Sequence, residues 1–393
     1  MKKLLVMFAI LVFTTGSAFA AAEWNFYGSA RVNTTYTEFD NDSFSNISQG
    51  SALGFPSGFD TENYEQRLYG NARIGAKVKV NDEITGRFEY GALGSNANIR
   101  ILWGEWNFGA GSLGVGQHYT PLLFPYSNQT YSVNGLNKGD HNMSTFGMLY
   151  GSRKAMIRLK FGNFQIAAVE PKTLFSLDTG PTGLSAMSTV GLYTAPGVES
   201  KFPSIQAKYQ YDFDKGHVAV AGGYQTFELG SNSVTHDIDS YLLGIGGRLD
   251  IGAAYLKGNV FGGQNVGNLV DILVNGALFS TPASVMTGTL DGDGFGFAQW
   301  DGIAVNDKDA LAGLIVAGYK IREGLYLEAG YGYVRTDLDV DGAEKDDVET
   351  MYIQSTIFLA KGVFLTPELG RVDMKQDNDP VVTYGGIKWQ INF

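Results

Sequence analysis

The chain has 393 residues, with 52 Gly, 21 Tyr, 25 Phe, 10 Pro and no Cys, and a formal charge of −11. The lack of cysteine excludes disulfides and thiolate metal sites. The acidic balance argues against nucleic acid, whose phosphates select the opposite sign, while abundant glycine and aromatics suit many strands joined by tight turns.

Residues 1–20 read as a secretory signal, with Lys2 and Lys3 as its charged start, an apolar core over 4–13 and a small-residue cleavage site at Ala18-Phe19-Ala20. Cleavage after Ala20 or after Ala22 fits the sequence. The apolar core is too short to span a bilayer as a helix, and no later stretch approaches eighteen uninterrupted apolar residues. Residues 21–393 therefore form one unit built on strands.

Alternation and turn chemistry predict sixteen strands, at 24–39, 64–80, 84–93, 99–109, 112–118, 153–161, 164–170 and 201–213, then at 217–229, 237–250, 252–262, 309–322, 324–335, 348–360, 362–373 and 381–393. Short turns such as Asn81-Asp82, Gly162-Asn163 and Asp214-Lys215-Gly216 alternate with longer loops at 40–63, 94–98, 119–152, 171–200, 230–236, 263–308, 336–347 and 374–380. An even strand number with turns on one side and loops on the other is the pattern of a transmembrane β-barrel, so the expected fold is all-β, a 16-stranded antiparallel barrel.

The faces are assigned by magnitude. In the second strand Leu68, Ala72, Ile74, Ala76, Val78 and Val80 share one parity, whereas Glu65, Arg67, Arg73, Lys77 and Lys79 share the other. A basic residue facing lipid costs about 2–4 kcal/mol near mid-membrane, and several such costs exceed the stability of a typical domain. The charges therefore face a wet lumen. The sixth strand agrees, with Lys154, Arg158 and Lys160 set against Ala155, Ile157 and Leu159. Two positions resist this scheme: Arg100, whose side depends on a bulge, and Pro367, which lies inside the fifteenth strand where each N–H should be paired.

Arg67, Arg73, Lys77, Arg87, Arg100, Arg158 and Lys160 come from adjacent strands and form a candidate basic wall that would bias passage toward anions. Glu65, Glu89 and Glu105 could offset it. The stretch Ser-Leu-Gly-Val-Gly-Gln-His-Tyr-Thr-Pro at 112–121 resembles the end of the fifth strand in general trimeric bacterial porins of the neisserial and burkholderial kind. That resemblance implies an inward-folded third loop, here 119–152, with His118, Tyr119, Tyr126, Lys138 and Asp140 at the constriction, and it implies a homotrimer. The chain departs from the family in carrying Gln117 where arginine is common, and Asp140 is the lone carboxylate of the loop.

Asp291 and Asp293 offer part of a calcium loop, but Phe295 and Gly302 occupy two ligand positions, so no metal or other cofactor is expected. The four histidines, at 118, 141, 217 and 236, lack metal-ligand spacing, no nucleophile elbow occurs, and no enzyme activity is expected. In the last strand Ile387, Trp389, Ile391 and Phe393 alternate with polar residues, and Tyr384 with Trp389 suggests rings at a membrane boundary. This strand looks like the terminal strand of bacterial outer-membrane barrels, which the barrel-assembly machinery reads. The expected protein is an outer-membrane diffusion channel for small hydrophilic solutes and ions. A substrate-specific channel with a saturable site, or a non-conducting surface-binding barrel, is the alternative.

Overall fold

The computed structural model describes residues 22–40, 61–93, 96–131, 143–177, 197–231, 234–271, 296–300, 304–343, 345–375 and 381–393. Sixteen antiparallel strands run in chain order: β1 (Glu23–Asp40), β2 (Thr61–Leu68 and Arg73–Lys79), β3 (Ile84–Leu93), β4 (Asn96–Asn107), β5 (Ser112–Tyr119), β6 (Arg153–Phe161), β7 (Phe164–Val169) and β8 (Gly197–Glu199 and Ser204–Phe213). They continue as β9 (Gly216–Ser231), β10 (Val234–Ile251), β11 (Ala254–Gln264), β12 (Lys308–Arg322), β13 (Leu325–Leu338), β14 (Asp346–Ala360), β15 (Val363–Met374) and β16 (Val381–Asn392). Each pairs with its neighbours in sequence, and β1 pairs with β16 from Ser29↔Asn392 to Asp40↔Val381, which closes the barrel.

The period-two pattern sorts side chains between the two faces. In β10, exposed Tyr241, Leu243 and Ile245 alternate with buried Leu242, Gly244 and Gly246. Exposed Ile157, Leu159, Val218, Val220, Leu256, Val260, Leu311 and Ile315 extend this apolar outer belt around β6–β12.

Four local departures from the expected strands have physical causes. The loops expected at 94–98 and 230–236 are tight connections, because strands end at Leu93 and Ser231 and resume at Asn96 and Val234. The second strand is broken. Its halves pair with β1 at Val32↔Leu68 and Ser29↔Arg73, so four residues of β2 stand opposite two of β1, and Ala72 is buried rather than turned outward. In β4 the pairing with β3 steps from Glu89↔Ile101 to Tyr90↔Ile99, and the extra residue is Arg100. This bulge turns Arg100 inward while Ile99 and Leu102 stay exposed, and the Gln117 amide donates to the carbonyls of Ile99 (2.7 Å) and Arg100 (3.4 Å).

Pro367 is accommodated without a bulge at that point. It pairs with Ile387 of β16, whereas the β14–β15 ladder holds Gln354↔Glu368 and Ile357↔Leu365 and skips the two residues between. The missing N–H thus falls on the side where the ladder is open.

The lumen is not uniformly wet, contrary to the sequence expectation. Inward residues of β9–β16, among them Ala219, Leu242, Phe261, Leu314, Val334, Val348, Tyr352 and Val382, form one buried cluster with Leu122, Phe124, Tyr126, Phe146, Met148 and Leu149 from the segment between β5 and β6. Contact here is backbone to backbone. Gly147 has φ +102°, and a Cβ there would lie 2.1 Å from the Gly313 carbonyl oxygen. Gly147→Val therefore combines a disfavoured backbone region with a clash. We expect it to loosen this segment, read as faster tryptic cleavage between β5 and β6 in folded protein; cleavage at the wild-type rate contradicts that packing.

Candidate functional site

The segment after β5 supplies buried backbone donors that need partners, since an unpaired buried N–H costs about 1–3 kcal/mol. Two carboxylates from the far side of the barrel provide them. Glu328 of β13 accepts from Asn128 N (2.9 Å) and Asn128 Nδ2 (2.7 Å), and also from Tyr352 Oη (2.7 Å) and Lys257 Nζ (3.2 Å). Glu368 of β15 accepts from Thr130 N (2.7 Å), Tyr131 N (3.0 Å) and Tyr384 Oη (3.1 Å). Tyr131 stacks on Tyr384 with ring centroids 3.7 Å apart, and Tyr69 Oη donates to the Thr130 carbonyl at 3.1 Å. Burial pushes the Tyr126 and Tyr131 phenols above their ordinary range, so both stay neutral.

Tyr384 was expected at a membrane boundary, but its ring is inside. From Trp389 backward the period of two places 384 on the opposite face, and it is 3% exposed against 47% for Trp389. Ile391 and Phe393 are exposed on the outside with Trp389.

Residues of the expected basic wall fall into pairs with carboxylates. Fully buried Glu89 accepts from Arg100 Nε (2.7 Å), Arg87 Nη2 (2.9 Å), Arg73 Nη1 (3.3 Å) and Tyr27 Oη (2.9 Å). Arg158 pairs with Glu105 at 3.1 Å and lies over the Trp103 ring, and Arg67 pairs with Glu65. Three guanidiniums on one carboxylate leave a net positive patch on β2–β4. Among the described residues, Lys77 and Lys160 have no carboxylate within ion-pair distance. His118 sits at the end of β5 against Trp103, with ring centroids 5.3 Å apart. The Tyr119 hydroxyl receives Arg100 and Arg153 at 3.3 Å each. Lys138, Asp140, Asp291 and Asp293 lie outside the described residues.

A chamber of about 360 Å³ lies where the segment meets the wall of β5–β11. Tyr119, Pro121, Leu123, Pro125 and Tyr126 line one side; Arg158, Lys208, Arg248 and Lys257 line the other, with His118 and His217 between. Tyr126 Oη and His217 Nε2 share a hydrogen bond of 2.9 Å. Lys208, Arg248 and Lys257 extend the positive surface beyond the β2–β6 arc read from sequence. Each shares its parity with other lumen residues of its strand, so strict alternation through β8, β10 and β11 was the signal that could have found them. Glu328 and Glu368 were legible only as inward carboxylates; the backbone donors they hold come from 200 or more residues away.

Among solved structures the chain is similar in fold to DcaP, an outer membrane channel of Acinetobacter baumannii, at 15% identity and TM-score 0.67 over 95% of this chain and 97% of that one. OmpF of Salmonella typhi aligns at 14% identity and TM-score 0.58, covering 94% and 97%. An anion-selective porin of Comamonas acidovorans aligns at 12% identity and TM-score 0.55, covering 95% and 100%. No protein-family model matches the chain, and no curated protein matches it by sequence.

Proposed function

We propose that the protein is an outer-membrane porin, a passive diffusion channel for small hydrophilic solutes and ions that favours anions. The stretches 120–131 and 143–152 fold into the lumen and set the size limit; the positive surfaces on β2–β4 and β6–β11 set the charge preference. The observation that carries this reading is a closed sixteen-stranded barrel with an apolar exterior and an interior rich in paired charge. Such an exterior is stable against hydrocarbon, and a barrel of this strand number leaves room for a water-filled path. The likeness in fold to channels and to an anion-selective porin supports the same conclusion. Catalysis has no part in this reading. Residues 1–20 act as the signal, Trp389, Ile391 and Phe393 present the terminal strand to the assembly machinery, and the chain works as a homotrimer in outer-membrane lipid.

Purified protein in a planar bilayer is expected to give ohmic steps, in threes for a trimer. Silence with the 120–152 segment intact and also deleted eliminates the channel. In a KCl gradient the reversal potential should carry the sign of chloride preference; the potassium sign would refute the charge assignment.

A further inference from the structure

The chamber beside the lumen segment has two walls of opposite chemistry. Pro121, Leu123, Pro125 and Tyr126 make one wall apolar, while the barrel side presents four cations and, among the described residues, no carboxylate lines the space. Three of those cations are already paired: Arg158 with Glu105 at 3.1 Å, Arg248 with Asp250 at 2.7 Å and Lys257 with Glu328 at 3.2 Å. Lys208 differs. Among the described residues it has no carboxylate within ion-pair distance; its ammonium donates to the Leu123 carbonyl at 2.9 Å and lies 5.0 Å from the Phe124 ring centroid. A half-buried ammonium with only neutral partners gains more from an arriving anion than one already paired.

An inorganic anion would use the cations and leave the apolar wall idle. A small carboxylate carrying an apolar body uses both, with its charge on Lys208 and its body against the prolines and Tyr126. The volume lies within the range of small-molecule sites. We infer that this chamber is a saturable binding site for small organic carboxylates with an apolar body, with Lys208 as the residue that retains them. The inference rests on the channel reading above. Binding must stay weak enough for release, as conduction demands.

The test uses the full chain in planar bilayers, with benzoate as probe and acetate as its counterpart lacking the ring. Steps in KCl alone come first and examine the channel itself. Benzoate is then expected to interrupt the current with a frequency that saturates with concentration, and acetate to do so about tenfold less, the ratio that about 1.4 kcal/mol of apolar contact confers. Lys208→Gln should shorten benzoate dwell about tenfold, comparable to losing one charge-assisted hydrogen bond, and Lys208→Arg should restore most of it. Equal interruption by benzoate and acetate, or unchanged dwell in Lys208→Gln, overturns the site. If KCl gives no steps, the channel reading fails, and calorimetric titration of detergent-solubilised wild-type and Lys208→Gln protein with benzoate decides the site by itself: weaker binding by the variant supports it and equal binding overturns it.

Discussion

Replacing Glu328 and Glu368 together by alanine should open the channel and make it noisy. The two carboxylates accept from the backbone of Asn128, Thr130 and Tyr131, at 2.7–3.0 Å, and Thr130 and Tyr131 are buried while Asn128 is exposed. Removing either leaves buried donors unpaired, at about 1–3 kcal/mol each. Glu328→Ala costs more, because Lys257, Tyr255, Tyr352 and Gln354 also bond to that carboxylate. Both anchors hold one short segment, so their effects should couple: once the first anchor is lost, the second has less ordered chain to hold. Single-channel conductance and open-state current variance are expected to rise in the order wild type, Glu368→Ala, Glu328→Ala, double variant. A double variant with wild-type conductance and noise would show that the segment does not narrow the path.

The second large effect is expected at Glu89. Three guanidiniums and the Tyr27 hydroxyl converge on this fully buried carboxylate. Deleting one member of a buried charge cluster costs about 3–5 kcal/mol, since the opposite charges are left in a poor solvent. Glu89→Ala should therefore lower the guanidinium midpoint of the detergent-folded barrel, with Glu89→Gln between it and wild type because the amide keeps some hydrogen bonds. Selectivity should move the opposite way. Removing one negative charge among Arg73, Arg87 and Arg100 should shift the reversal potential further toward chloride in both variants. Loss of stability without that shift would place the cluster off the conduction path.

The strand order and the in–out assignment are legible in the sequence because both follow from a period of two, which needs no knowledge of distant residues. Arg100 and Pro367 mark where that logic stops. A bulge at Arg100 and an open stretch of ladder beside Pro367 are set by the partner strand. Tyr384 follows its parity and not its aromatic character, and so is buried inside while Trp389 is exposed outside. Alternation along its strand turns Lys208 toward the lumen, but its convergence with Arg248 and Lys257 is not legible: the three stand singly on their strands, and only closure of the barrel gathers them. That the segment between β5 and β6 turns inward is implied only by the resemblance at 112–121; its apolar packing against β9–β16 was not legible, because the segment shows no periodicity.

The seam between β1 and β16 joins Val32 to Trp389 and Thr34 to Ile387, residues more than 350 positions apart. Every other ladder can zip from a local turn or loop, but this one must wait until both edges of a nearly complete cylinder meet. Joining such remote edges incurs the largest loop entropy in the molecule. Final circularisation is accordingly the step most exposed to competition from edge-to-edge pairing with a second copy, and refolding yield should fall with protein concentration even where the individual hairpins form readily.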